Sequence, residues 1–157
     1  GRRAPHLMTL RWIATNEEQR PRVEMYRAAL RDAGHPMEDK DVFTMYPIYV
    51  GGEDDEARRD VIEHWHRWRG FALDALNVAP GNPAYDRVFG HLDYDAMVRD
   101  SRGVFGGAGT CARILKRIIE VVGTTHVGLT FHFGGLSQDK VLNSMERCAR
   151  DVLPALR

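Results

Sequence analysis

A parallel α/β fold, with helices packed outside the sheet, is predicted by three features of this sequence. Apolar runs of strand-like period alternate with stretches of helical period along the chain. Connections long enough to hold a helix separate the strands, which is what parallel neighbours require. Gly-Gly pairs at 51–52, 106–107 and 134–135 each stand just before a helix, a repeated way of turning into one.

The elements follow in order. Leu7 to Ile13 reads as the first strand. Thr15 or Asn16 caps the next helix, with Glu17 and Glu18 at its positive end and Val23, Tyr26, Leu30 and Ala33 as its apolar stripe. Gly34 and Pro36 stop it. Val42 to Val50 is the second strand, with its paired part expected to end near Tyr46 or to bulge, because Pro47 has no amide to donate. Glu53-Asp54-Asp55-Glu56 makes an acidic first turn of a long helix with Ala57, Val61, Trp65, Trp68, Ala72 and Leu76 inward.

From about 77 to 103 the pattern is irregular, an expected insertion with short helices near Tyr85–Phe89 and Asp95–Arg102. Val104 to Thr110 reads as a glycine-rich turn. It opens a helix with Ile114, Leu115, Ile118, Ile119 and Val122 inward and Gly123 as its stop. His126 to Phe133 is the last strand, and Ser137 caps the last helix, striped by Val141, Met145, Cys148 and Val152 and ended by Pro154.

The 157 residues are 43% hydrophobic and 28% charged, which suits one domain with its own core. Lys+Arg and Asp+Glu both number 22, a formal net charge of zero that gives no support for a nucleic-acid or anionic-membrane partner. No uncharged apolar stretch is long enough to span a bilayer, and the start carries no signal-peptide pattern. Cys111 and Cys148 fall inside helices and read as reduced, packed thiols of a cytoplasmic protein. The opening Gly1-Arg2-Arg3-Ala4-Pro5, without an initiator Met, reads as a chain entered midway.

Alternation along the last strand puts His126, Gly128, Thr130 and His132 on one face and Val127, Leu129, Phe131 and Phe133 on the other. The first face is small and polar, and His132 at its carboxyl end is the candidate acid, base or hydrogen-bond donor. The alternative is a hydrogen-bonded structural histidine. Gly134-Gly135 and Gly106-Gly107 precede helix starts, where free amides can hold an anion; neither is a phosphate fingerprint, and plain turn chemistry is the competing account. Arg11 and Trp12 end the first strand, the one a possible anion partner and the other a possible ring platform. His64 and His66 point apart on a helix, so no metal site is expected there.

Three stretches together resemble the luciferase-like flavin-dependent monooxygenase family. They are Tyr26-Arg27-Ala28 through Gly34-His35 to Tyr49-Val50-Gly51 and Glu56-Ala57-Arg58; Phe105-Gly106-Gly107-Ala108 with its helix; and Phe133-Gly134-Gly135-Leu136 with Ser144-Met145-Glu146-Arg147 and Val152-Leu153-Pro154. Gly107-Ala108-Gly109 departs from the family's Ser/Thr-Pro-Glu. The resemblance implies the carboxyl-terminal half of a TIM (β/α)8 barrel, since a whole one takes about 250 residues. It implies a single partial domain over 1–157, a fragment inactive by itself. For the intact enzyme it implies reduced FMN with O2, or alternatively the deazaflavin F420, and a small organic substrate. It also implies a separate flavin reductase, and an amino-terminal half-barrel or self-association as partner. From their places at strand ends and helix starts, the residues expected at the site are His132 as catalytic, with Arg11, Trp12, Phe133, Gly134 and Gly135 at the cofactor; no metal ligands are expected. A non-catalytic half-barrel that serves as an assembly partner is the reading from a different class.

Overall fold

The computed structural model describes residues 6–10, 14–36, 40–75 and 92–157. Its elements are β1 (Leu7–Leu10), α1 (Asn16–Asp32), β2 (Val42–Val50), α2 (Asp54–Ala75), α3 (Tyr94–Arg99), β3 (Val104–Gly106), α4 (Ala108–Val122), β4 (His126–Thr130) and α5 (Gln138–Arg147). After α5 the helix widens into a π turn over Cys148–Val152 and tightens to 3-10 over Leu153–Leu156. Helices and parallel strands alternate as expected.

β2 is the centre of the sheet. β1 pairs with Val42–Met45 and β4 with Phe43–Pro47, both in parallel. Because both engage Phe43 to Met45, they lie on opposite edges of β2. β3 joins in parallel at the carboxyl end, against Ile48–Val50. The order β1-β2-β3, with β4 also on β2, differs from the consecutive order of a closed barrel, in which β4 would neighbour β3.

Three expectations about strands are corrected here. β2 runs through Pro47 to Val50. Pro47 is tolerated because it falls where pairing with β4 ends and pairing with β3 begins. Val104–Gly106 is a short strand rather than a turn; three residues are too few for a period-two pattern to show. β4 is also shorter than read, ending at Thr130.

Two main apolar clusters flank the carboxyl end of β2. Tyr46, Ile48 and Val50 pack with Ile114, Leu115 and Ile118 of α4 and with Cys148 and Val152. Tyr49, from the alternate face, packs with Ala57, Val61 and Trp65 of α2 and with Phe105 and Phe133. Trp65 sits at the centre of this second cluster, its indole N–H donating to the Leu92 carbonyl at 2.7 Å. Helices therefore cover both faces of β2 at this end, where the sequence suggested a single outer layer.

The capping chemistry matches the sequence closely at α1. Thr15 Oγ1 accepts from Glu18 N–H at 3.2 Å, and Glu18 accepts from Thr15 N–H at 2.7 Å, a complete capping box. Ser137 stands at the N-cap of α5 with extended backbone but forms no side-chain capping bond. The inward stripe of α5 is also corrected: Met145 is exposed, and Ser144 takes the buried slot. Its Oγ accepts from Val50 N–H at 2.8 Å, giving that buried amide a partner. Ile119 of α4, read as inward, is 39% exposed.

Candidate functional site

In parallel α/β proteins the chemistry gathers where strands hand over to helices. Here the carboxyl ends of β2 and β3 are tied together. Gly51 N–H donates to Gly106 O at 2.9 Å, so two of the three Gly-Gly pairs meet. Gly106 has φ 150°, and a Cβ there would come within 2.8 Å of the Thr110 side chain.

The start of α4 is already occupied. Asp54 Oδ1 accepts from Gly107 N–H at 2.7 Å, and Asp54 Oδ2 accepts from the Thr110 hydroxyl at 2.9 Å. A carboxylate from α2 thus holds the amide that an anionic ligand would need. Glu56 plays a similar part beside it, accepting from Gly52 N–H at 3.1 Å and from Arg147 at 3.1 Å.

A second polar group lies at the same end. Tyr49 donates its hydroxyl to Asp60 Oδ2 at 2.7 Å, and Lys140 donates to Asp60 Oδ1 at 2.6 Å. Burial pulls the Asp60 carboxyl upward, but the hydrogen bonds from Lys140 and Tyr49 outweigh it and hold the group below the usual carboxylate range. Burial, then the bond to Asp60, pushes the Tyr49 phenol upward. This trio joins β2, α2 and α5. Sequence reasoning missed Asp54, Asp60, Lys140 and Ser144 because each partner is more than fifty residues away or on another element.

The residues chosen from sequence are placed as follows. His132 lies two residues beyond β4, exposed, and its ring forms no hydrogen bond among the described residues. Phe133 is buried, with ring centroids 5.6 Å from Phe105 and 6.1 Å from Trp65. Gly134 presses on the middle of α2, where a Cβ would overlap the His64 carbonyl. The Gly134 carbonyl lies 2.9 Å from His64 Nδ1 and accepts from Arg67 at 3.1 Å. Gly135 follows, exposed, with φ 76°. The third glycine pair is thus docked on α2, away from the other two. Arg11 and Trp12 lie outside the described residues.

The two faces read in the last strand are seen within β4 but not past its end, since Phe133, read on the face of Val127 and Leu129, packs in the opposite cluster with Trp65 and Phe105. Val127, Leu129 and Phe131 pack toward the α4 cluster. His126 and Gly128 share the other face with Phe43 and Met45, their partners in register. The Phe43 ring lies across Gly128, where a Cβ would meet it at 2.5 Å. Met8, in register with Phe43, is 64% exposed on this face. The amino-terminal half of the sheet therefore presents an open wall of Met8, Phe43, Met45, Gly128 and Thr130.

Cys111 is buried among backbone carbonyls, its Sγ 3.4 Å from Gly106 O. Burial, reinforced by nearby Cys148, pushes its thiol up to about 12, which removes it as a nucleophile at neutral pH. Among the described residues no group could hold a metal ion. No helix of the described residues is long and apolar enough to cross a membrane.

No family model matches the chain. Six curated relatives match it, each an alkanal monooxygenase alpha chain. That of Aliivibrio fischeri is 26% identical over 164 residues, covering 96% of this chain and 46% of its own length. The chain's relatives are luciferase-like flavin monooxygenases. It spans about half the length of the curated relatives it matches.

Solved luciferase-like structures carry the same fold. Monooxygenase RslO1 from Streptomyces bottropensis aligns with a TM-score of 0.71 at 20% identity, over 97% of this chain and 42% of that one. The oxygenating constituent of 3,6-diketocamphane monooxygenase from Pseudomonas putida, solved in complex with FMN, gives 0.64 at 17% identity, over 96% and 42%. The coenzyme F420-dependent tetrahydromethanopterin reductase from Methanopyrus kandleri gives 0.59 at 14%, over 96% and 45%. At these identities the structural likeness speaks to fold alone.

Proposed function

We propose that the chain is the carboxyl-terminal half of a (β/α)8 luciferase-like, flavin-dependent monooxygenase that oxygenates a small organic substrate in the cytoplasm. The observation that carries this reading is the match to six alkanal monooxygenase alpha chains along nearly all of this chain and half of theirs. The open wall of β1, β2 and β4 supports it, since a barrel interior is a face that remaining strands cover.

The described residues fit one end of a flavin and not the other. Phe43, Met45 and Gly128 offer a flat, largely apolar surface suited to a ring system, with Thr130 as a polar edge. The start of α4 does not fit a phosphate, because Asp54 already holds its Gly107 amide and would repel a second anion. The Gly134 turn is closed by its contacts with α2. Anion binding is therefore assigned to Arg11 and to the complementary half. Reduced FMN, when bound, would supply the electrons with which O2 oxygenates the substrate, replenished by a separate flavin reductase.

In this reading His132 reaches past the end of β4 as a polar contact to the flavin or the reacting oxygen, able to hold or give a proton. Phe133, packed on Trp65 and Phe105, fixes the backbone from which His132 projects, and Gly134 and Gly135 set the turn that aims it. Trp12 would complete the pocket wall. In the complete enzyme His132→Ala is expected to lower turnover on the order of 100-fold; unchanged turnover and flavin affinity would remove the role. An F420-dependent oxidoreductase is the second reading, since the same fold is found in the coenzyme F420-dependent reductase of Methanopyrus kandleri. Hydride transfer without O2 consumption would distinguish it.

A further inference from the structure

We propose that His64 and Arg67 of α2 are positioning residues, which together clamp the turn that sets the place of His132. The inference rests on the reading of His132 as a contact to the flavin or the reacting oxygen. His64 belongs to the His-Trp-His run that stands out in the sequence of α2, and the proposed function gives it no part.

Phe131 to Ser137 link β4 to α5. The link changes cores at His132. Phe131 packs against the α4 cluster, and Phe133 is buried in the cluster of Trp65 and Phe105. His132 stands exposed between these two aromatic anchors. How far its backbone can move is therefore set by β4 on one side and by the Phe133-Gly134 turn on the other.

That turn is held from α2. Leu136 N–H donates to the Phe133 carbonyl at 3.1 Å, and Gly134 and Gly135 take left-handed φ of 56° and 76°. The Gly134 carbonyl accepts from Arg67 Nη1 at 3.1 Å and lies 2.9 Å from His64 Nδ1. A carbonyl oxygen cannot donate, so this contact requires a proton on His64 Nδ1. The two donors take up both lone pairs of the oxygen, and the guanidinium bond is charge-assisted. At i and i+3, His64 and Arg67 share one helix face, while Trp65 reaches inward to the Phe133 ring. Thus α2 grips the backbone that carries His132 twice, through the Phe133 side chain and through the next carbonyl. A shift of a reacting group by about 1 Å can cost on the order of 100-fold in turnover, so such a clamp acts on the reaction without touching it.

Two measurements test this. On the purified chain, His64→Ala and Arg67→Met should keep the wild-type circular dichroism and speed hydrogen exchange of the Leu136 amide about tenfold. The Gly107 amide, held by Asp54, should keep its rate. His64→Asn, whose amide nitrogen stands near the place of Nδ1, should restore the slow rate at Leu136. Unchanged exchange at Leu136, equal acceleration at both amides, or no recovery with Asn would overturn the clamp. In the complete enzyme, His64→Ala should lower kcat about tenfold at constant substrate KM, recover in His64→Asn, and add nothing in a His132→Ala background. A further loss in that background would show that His64 acts by another route and would overturn the inference. A silent His132→Ala would instead fail the reading of His132, and with it the part of the clamp in the reaction, whereas the exchange rates decide the clamp itself.

Discussion

Asp54 shows at the residue scale how a helix start is committed. The acidic run Glu53 to Glu56 was legible as a complement to the α2 dipole. The actual duty of Asp54 was not, because Gly107 and Thr110 lie more than fifty positions away and become neighbours only through β2–β3 pairing. Asp54→Ala should free the Gly107 amide and lower stability by about 1 kcal/mol, measured by urea unfolding. Asp60 carries the pH dependence. Its folded carboxyl lies below the unfolded one, because the bonds from Lys140 and Tyr49 outweigh burial. It therefore adds stability above the ordinary carboxylate range, and that stability is lost as pH falls through its folded value. Asp60→Asn should lower the urea midpoint at pH 7 and flatten the acid limb of a stability-against-pH curve. An unchanged curve would show that the trio carries no weight.

At the element scale, strong local signals were read correctly and long-range ones were not. The α1 capping box, the left-handed Gly123 stop of α4 and the two faces of β4 all depend on residues within a few positions of each other. β3 escaped notice because three residues carry no period, and the reach of β2 past Pro47 depends on which neighbour pairs at each end. α5 gives the clearest case. Of Val141, Met145, Cys148 and Val152, all at helical spacing, Cys148 and Val152 are buried and Val141 packs on the core, but in place of Met145 the buried position belongs to Ser144, selected by the Val50 amide on another element. Ser144→Ala should cost about 1 to 3 kcal/mol by stranding that buried donor. Ser144→Cys, with only a weak acceptor at the same place, should fall between the two in an unfolding series. Gly134→Ala should cost more than a typical surface change, since its added methyl meets the His64 backbone in α2.

At the scale of the whole molecule, the likeness to a luciferase-like half was legible in three separated stretches, and the relatives match along nearly the full chain while it spans under half of theirs. The candidate site was less legible. Only its strand-end position could be read, and neither the Asp54 carboxylate in the α4 start nor the docking of Gly134 on α2 leaves a local trace. Both arise from tertiary contacts, and both take away anion sites that glycine-rich turns suggest. In the proposed reading, what is left for a cofactor is the open sheet wall and the segment around His132. The central claim is that this wall becomes a flavin site only when a complementary half covers it. The measurement that tests it most directly is the mass and composition of the purified particle together with its visible absorbance spectrum after addition of FMN and gel filtration. The account predicts flavin bands in a particle containing a second, complementary polypeptide and none in particles of this chain alone. Flavin retained by the chain alone, or a stoichiometric complex of both halves that stays colourless, would contradict it.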